Sequence, residues 1–224
     1  RNDAVGKGAL NALTTGNSNS AVGYYAGGAL TTGAYNVAIG RAALSTATTS
    51  ESNTAVGYNA AYSATIGNTN TSIGREAMYT NVAADRNTAL GYRSLYTMSR
   101  STTADTYNVA VGNEAGYSCT TGAQIVAVGG NALRSSTTAD GAVAVGYEAA
   151  KDWVGSYSIT AIGYLALANC TTGVNNTALG RNSLTTLTTA SENTALGNMS
   201  MQAATTGYEN VAVGSNSLYT LTTG

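Results

Sequence analysis

The stretch N-T-A-V-G-Y-N-A-A at residues 53–61 decides the fold, because variants of it return from one end of the chain to the other. Its glycine, Gly57, has counterparts at Gly6, Gly23, Gly40, Gly74, Gly91, Gly112, Gly129, Gly146, Gly163, Gly180, Gly197 and Gly214. Successive glycines are 17 residues apart in every interval except Gly91 to Gly112, which is 21. A fixed period is the mark of stacked repeats in which each unit contacts its neighbours. The chain therefore reads as a single array of thirteen units over residues 1–224.

Positions within a unit are numbered here as phases, starting four residues before the glycine. Phase 1 is mostly Asn, phase 2 mostly Thr or Val, phase 3 Ala, phase 4 Val, Ile or Leu, and phase 5 the glycine. A small residue flanked by β-branched ones and followed by Gly predicts a short strand ending in a turn. Phases 8, 9 and 12 are often apolar, and segments such as R-E-A-M-Y at 75–79 carry helix formers. That spacing predicts a single helical turn, a tight 3₁₀-like turn or a second short strand in each coil. The expected fold is a mainly β repeat solenoid of 17-residue coils, each with a short parallel strand and an aliphatic core at phases 4, 9 and 12. The uniformly small phases 3 and 8 predict close approach of backbones, between coils or between chains.

Stacking turns repeated polar residues into ladders. Ten units carry Asn at phase 1, and the run breaks at Ile125, Ala142 and Ile159. A side-chain amide donates and accepts at once, so stacked Asn can bond along the array and satisfy turn backbone. Thr pairs at phases 13 and 14, from Thr14-Thr15 and Thr31-Thr32 through to Thr222-Thr223, predict a second ladder. The four extra residues of the long unit fall close to Met98, because S-T-T-A-D at 101–105 returns at 136–140. Such an insertion is either a recognition loop or a neutral one.

Composition bounds function mainly by exclusion. Charged residues make up 9% of the chain and the net charge is −1, so no strong field steers it to nucleic acid or an anionic membrane. The apolar runs are far shorter than the roughly 20 residues of a membrane span. With no histidine in the chain, neither a Ser-His-Asp nor a Cys-His nucleophile can be assembled. Cys119 and Cys170 share phase 12 three coils apart, roughly 14 Å at strand spacing, too far for an intrachain disulfide. They read as buried thiols, with a bridge between chains as the sharper alternative. Glu76, Glu114 and Glu148 share phase 7 in non-adjacent coils, and Asp140 or Asp152 could approach Glu148. Solvated surface charge explains them. No catalytic, cofactor-binding or metal-ligating residue is assigned, and the chain is not expected to be an enzyme.

Tyrosine is the one enriched group with binding potential. Tyr58 and Tyr92 share phase 6, and Tyr62 and Tyr96 share phase 10. A Tyr side chain offers an apolar body with a polar tip, suited to contact with a sugar or protein. The four are the candidate surface contacts, with cross-coil stacking as the plainer reading.

The pattern N-T-A-[VLI]-G-[YR]-x-[AS]-L…T-T-G resembles the repeats of phage tail fibres and related bacterial surface proteins, often found upstream of a self-cleaving intramolecular chaperone domain. Phrases such as A-I-G at 38–40 and 161–163 also look like the head repeats of trimeric autotransporter adhesins, whose period is shorter. The resemblance implies an extracellular, homotrimeric, non-enzymatic shaft on a virion or cell surface, with a host glycan or protein as possible partner. It supplies no ligand residues. The chain opens at Arg1, inside a repeat, and reads as a fragment of a longer protein. A bacterial or archaeal extracellular filament and an ice- or surface-binding solenoid using the Thr ladder are the alternatives.

Overall fold

A computed structural model describes residues 1–220; Leu221 and the Thr222-Thr223 pair fall outside them. The protein is a parallel β-solenoid of 17-residue coils, and no helix occurs among the described residues. It divides into two compact units, Arg1–Ala110 and Val111–Gly224. In the first unit the strands are β1 (Asp3–Val5), β2 (Ser20–Val22), β3 (Val37–Ile39), β4 (Thr54–Val56), β5 (Thr71–Ile73), β6 (Ala84–Asp85), β7 (Thr88–Leu90) and β8 (Ala104–Asp105). β9 (Val109–Val111) falls at the boundary. The second unit holds β10 (Val126–Val128), β11 (Val143–Val145), β12 (Thr160–Ile162), β13 (Thr177–Leu179), β14 (Thr194–Leu196) and β15 (Val211–Val213). Pairing holds one register: Ala38 faces Ala55 in the first unit, as Ala127 faces Ala144 in the second.

Side chains alternate across a strand, and the alternation settles which phases form the core. Phase 3 points inward, so Ala21, Ala55, Ala127 and Ala161 are fully buried. Phases 2 and 4 therefore point outward. The expected aliphatic core at phase 4 is corrected by this: Val22 is 45% exposed and Leu179 48%. Phases 9 and 12 do enter the core, with Leu44, Leu95, Leu133 and Leu184 at phase 9, and Leu30, Met98, Trp153 and Leu187 at phase 12, all fully buried. Phase 8, occupied by Ala43, Ala60, Ser94 and Ala132, is buried as well. The small phases thus line the inside of each coil and are not held back for contact between chains.

Phases 6 to 12 form neither a helical turn nor, in the regular coils, a second strand. They make two successive turns, closed in the fourth coil by Ala60 N–H to the Gly57 carbonyl at 3.4 Å and Ala64 N–H to the Ala61 carbonyl at 3.2 Å. Asn59 and Ala61 stand at φ 54° and 47°. A left-handed residue on either side of Ala60 prevents the run of right-handed dihedrals a helix needs. Backbone groups of the turns bond to neighbouring coils instead, as when Leu44 N–H donates to the Ala60 carbonyl at 3.0 Å and Asn59 N–H to the Arg41 carbonyl at 3.0 Å.

The Asn ladder forms inside the coil. Asn36 donates to the Asn19 side-chain oxygen at 3.0 Å and to the Ser50 carbonyl at 2.8 Å, and it accepts the Asn53 backbone N–H at 3.0 Å. Ile125, Ala142 and Ile159 replace this ladder with buried apolar side chains. Phase 13 hydroxyls donate along the array to backbone, Thr31 to the Thr48 carbonyl and Thr171 to the Thr188 carbonyl, both at 3.1 Å. In the long coil, β8 pairs with β6 in register, Ala84 with Ala104 and Asp85 with Asp105. The Thr106 hydroxyl reaches the Asn87 amide oxygen at 2.6 Å and the Asn108 backbone reaches the same atom at 3.0 Å. The insertion is thereby strapped down without interrupting the ladder. Cys119 and Cys170 are both buried thiols outside any disulfide, and burial pushes the Cys170 thiol up to about 11.

Candidate functional site

In-register stacking places a side chain beside its counterparts one period before and after it, about 4.8 Å away. At phase 6 of the first unit the residues are Lys7, Tyr24, Arg41, Tyr58, Arg75 and Tyr92, so cations and rings alternate. The Arg41 guanidinium stands 5.7 Å from the Tyr24 ring centre and 5.3 Å from that of Tyr58. Arg75 stands 5.6 Å from Tyr58 and 5.7 Å from Tyr92. A cation over an exposed aromatic face contributes about 0.5–1 kcal/mol. Tyr58 is held on both faces and exposes its rim and hydroxyl.

The adjacent column at phase 10 reads Gly28, Ser45, Tyr62, Tyr79 and Tyr96. Tyr79 stacks on Tyr62 at 5.2 Å and on Tyr96 at 5.3 Å, with interplanar angles of 11° and 7°. The stack stops at Tyr62, because the preceding coil supplies only Ser45. Between the columns this step leaves an open groove of about 410 Å³, lined chiefly by Tyr24, Tyr25, Arg41, Ser45, Tyr58 and Tyr62.

The structure thus places Tyr58 and Tyr62 together in the groove. Tyr92 and Tyr96 belong to the same two columns but lie two coils on, outside the groove lining. There Arg93 covers Tyr92 at 4.9 Å and Tyr96 at 5.3 Å. Its Nε donates to Glu76 Oε2 at 2.7 Å, while Arg75 Nε approaches Glu76 Oε1 at 3.4 Å. At that end two arginines share one carboxylate. At the groove end, Arg41 donates Nη1–H to the Tyr58 hydroxyl at 3.0 Å, and among the described residues no carboxylate forms an ion pair with it. Arg41 and Ser45 were not singled out from the sequence; the signals were the Tyr/Arg alternation at phase 6 and the small residue ahead of Tyr62 at phase 10.

The hydrogen bond from Arg93 holds the Glu76 carboxyl below its ordinary value of 4.5, with burial opposing it. A carboxyl depressed on folding contributes stability above its unfolded pKa, and that contribution is lost as pH falls through the folded one. The stability gap between wild type and Glu76→Gln is therefore expected to be full near neutrality and to close below about pH 4.5 in denaturant titrations. A gap unchanged at about pH 2 would show that the ion pair is not its source.

Three other carboxylates noted in the sequence have structural partners. Glu114 accepts from Arg134 at 2.7 Å, Glu148 from Lys151 at 3.1 Å, and Asp140 from the Ala123 backbone at 2.8 Å. Among the described residues no three carboxylate or thiol groups converge.

Fold and surface together define a class, a parallel β-solenoid with side-chain ladders and an open aromatic–cationic groove in its first unit. Compared with protein-family models, with curated proteins and with solved structures, the chain matches none of them.

Proposed function

We propose that the chain is a structural segment of an extracellular attachment fibre, of the phage tail-fibre or surface-adhesin type, assembled as a homotrimer. The observation that carries this reading is the outward face of the sheet. In the first unit it presents Val22, Ile39, Val56, Ile73 and Leu90 in one column, with Val37, Thr54, Thr71 and Thr88 beside them. In the second it presents Val128, Val145, Ile162, Leu179, Leu196 and Val213. None of these residues is charged; the charged residue at these phases is Asp3, in β1 at the start of the array. A contiguous apolar face of this kind marks an association surface, and closed symmetry buries the same face on every copy. The small phases already lie inside the coil, so the aliphatic columns are what remains for a second chain.

Native mass spectrometry with sedimentation velocity tests this. A trimer is expected for the wild type, and a monomer with unchanged circular dichroism for the outward double variant Val56→Asp, Ile73→Asp. A monomeric wild type would overturn the reading.

One observation favours an ice- or surface-binding solenoid as a second reading. Phase 13 hydroxyls are engaged with backbone, but Thr54, Thr71 and Thr88 stand beside Val56, Ile73 and Leu90 in regular outward rows. Thermal hysteresis from a monomeric wild type would select this alternative.

A further inference from the structure

We propose that the groove between Arg41 and Tyr62 binds an acidic saccharide, a pyranose carrying a carboxylate or sulfate. The inference is independent of whether the chain trimerises. It rests on three features that meet here. First, the Tyr62 ring stacks on Tyr79 on one side, while on the other it lines the groove and the preceding coil offers Ser45 in place of a stacking ring. An aromatic face is the negative side of the ring quadrupole and accepts the C–H-rich face of a sugar. Second, Arg41 is exposed and carries five N–H donors, of which the structure commits one, to the Tyr58 hydroxyl. With no carboxylate paired to it, its charge is available to an anion on the same ligand, and the planar fork suits a carboxylate or sulfate edge. Third, the remaining lining is neutral and hydrogen-bonding, with the Tyr58 hydroxyl, Ser45 and Asn59 around the Tyr62 ring. A volume of about 410 Å³ lies within the range of small-ligand sites.

The corresponding places elsewhere lack one or more of these features. At Tyr92 and Tyr96 the cation is Arg93, bound to Glu76. In the second unit Arg181 lies over Tyr164 at 5.7 Å, but phase 10 of the next coil, where Tyr62 stands beside Arg41, is Gln202, which offers no ring. Arg181 is therefore an internal control at the same phase.

The test is calorimetric titration of the whole chain with three probes: a hexagalacturonate, a heparin-derived hexasaccharide and neutral maltohexaose. At least one acidic probe is expected to bind, with affinity falling as salt is raised, and maltohexaose at least about tenfold more weakly. Binding of the uronate alone assigns a carboxylate, and of the heparin fragment alone a sulfate; either supports the proposal. Arg41→Gln is expected to weaken binding roughly 10- to 100-fold, the size of a lost charge-assisted contact, and Arg181→Gln to leave it unchanged. Ser45→Tyr extends the ring stack over Tyr62 and is expected to abolish binding while keeping Arg41 in place. Circular dichroism and thermal unfolding establish that each variant is folded. Equal affinity for maltohexaose, an unaffected folded Arg41→Gln, or no binding of either acidic probe at millimolar concentration would overturn the proposal.

Discussion

Gly57→Ala is expected to lower the unfolding free energy by about 3 kcal/mol or more, although it adds a single methyl group. Gly57 has φ +137°, and a Cβ built on it would lie 2.5 Å from the Gly74 carbonyl oxygen and 2.7 Å from its carbon. Both atoms belong to backbone of the next coil, whose position is fixed by the pairing of β4 with β5. No side-chain rotation relieves the clash, and a backbone shift breaks register on both sides. Gly130→Ala is the matched control. There the added Cβ would meet the Tyr147 ring at 3.3 Å, without a left-handed φ. A ring edge can move, so the cost there is expected to stay within about 1 kcal/mol. Urea titrations of the two variants would decide the matter, and similar midpoints would remove the close backbone approach as an explanation of the glycine column.

The second large effect is expected at the Asn ladder. Asn36 is 1% exposed and its amide lies within hydrogen-bond distance of five groups, its two N–H donors shared among Asn19 Oδ1, Ala34 O and Ser50 O and its oxygen accepting from Asn53 N and Nδ2. Asn36→Ala leaves the Asn53 N–H and the Ser50 carbonyl buried without this partner, at about 1–3 kcal/mol for each orphaned group. A total of about 3 kcal/mol or more is expected from chemical denaturation. The apolar stretch at Ile125, Ala142 and Ile159 shows why position matters: there the amides are replaced in three consecutive coils, and only the ladder ends at Asn108 and Asn176 adjoin an apolar rung. If Asn36→Ala proved as mild as an exposed Thr substitution, the ladder would be decoration.

The period, the strands and both ladders were legible because each depends on one residue type recurring at one phase. The face of phase 4 was not. Alternation says that Ala38 and Ile39 point opposite ways but not which way is in, and hydrophobicity alone favours Ile39 for the core. The thin coil interior reverses the choice, since it is filled by Leu44 and its phase 9 and phase 12 counterparts and has room for no more than Ala at phase 3. Nor was the left-handed geometry at Leu44, Met78 and Leu95 readable, with φ between 46° and 50°. Nothing in the propensity of Leu or Met signals it; hydrogen bonds to adjacent coils impose it. Tyr58 and Tyr62 stood out by enrichment. Their groove did not, because it is created by what is small in the preceding coil, and that is visible only when columns are read across coils.

The single register has a consequence for how such a chain changes over generations. A segment cut from one phase to the same phase of the next coil removes one strand, one pair of turns and one rung of each ladder, and the flanking coils meet with the groups they already presented. Unequal crossing-over between repeats can therefore lengthen or shorten the array without passing through a misfolded intermediate. The insertion absorbed by β8 on β6 shows that even a unit of irregular length is accommodated locally. Array length becomes a heritable variable, adjustable in whole steps, while the open step beside Ser45 and Arg41 travels with the two coils that encode it.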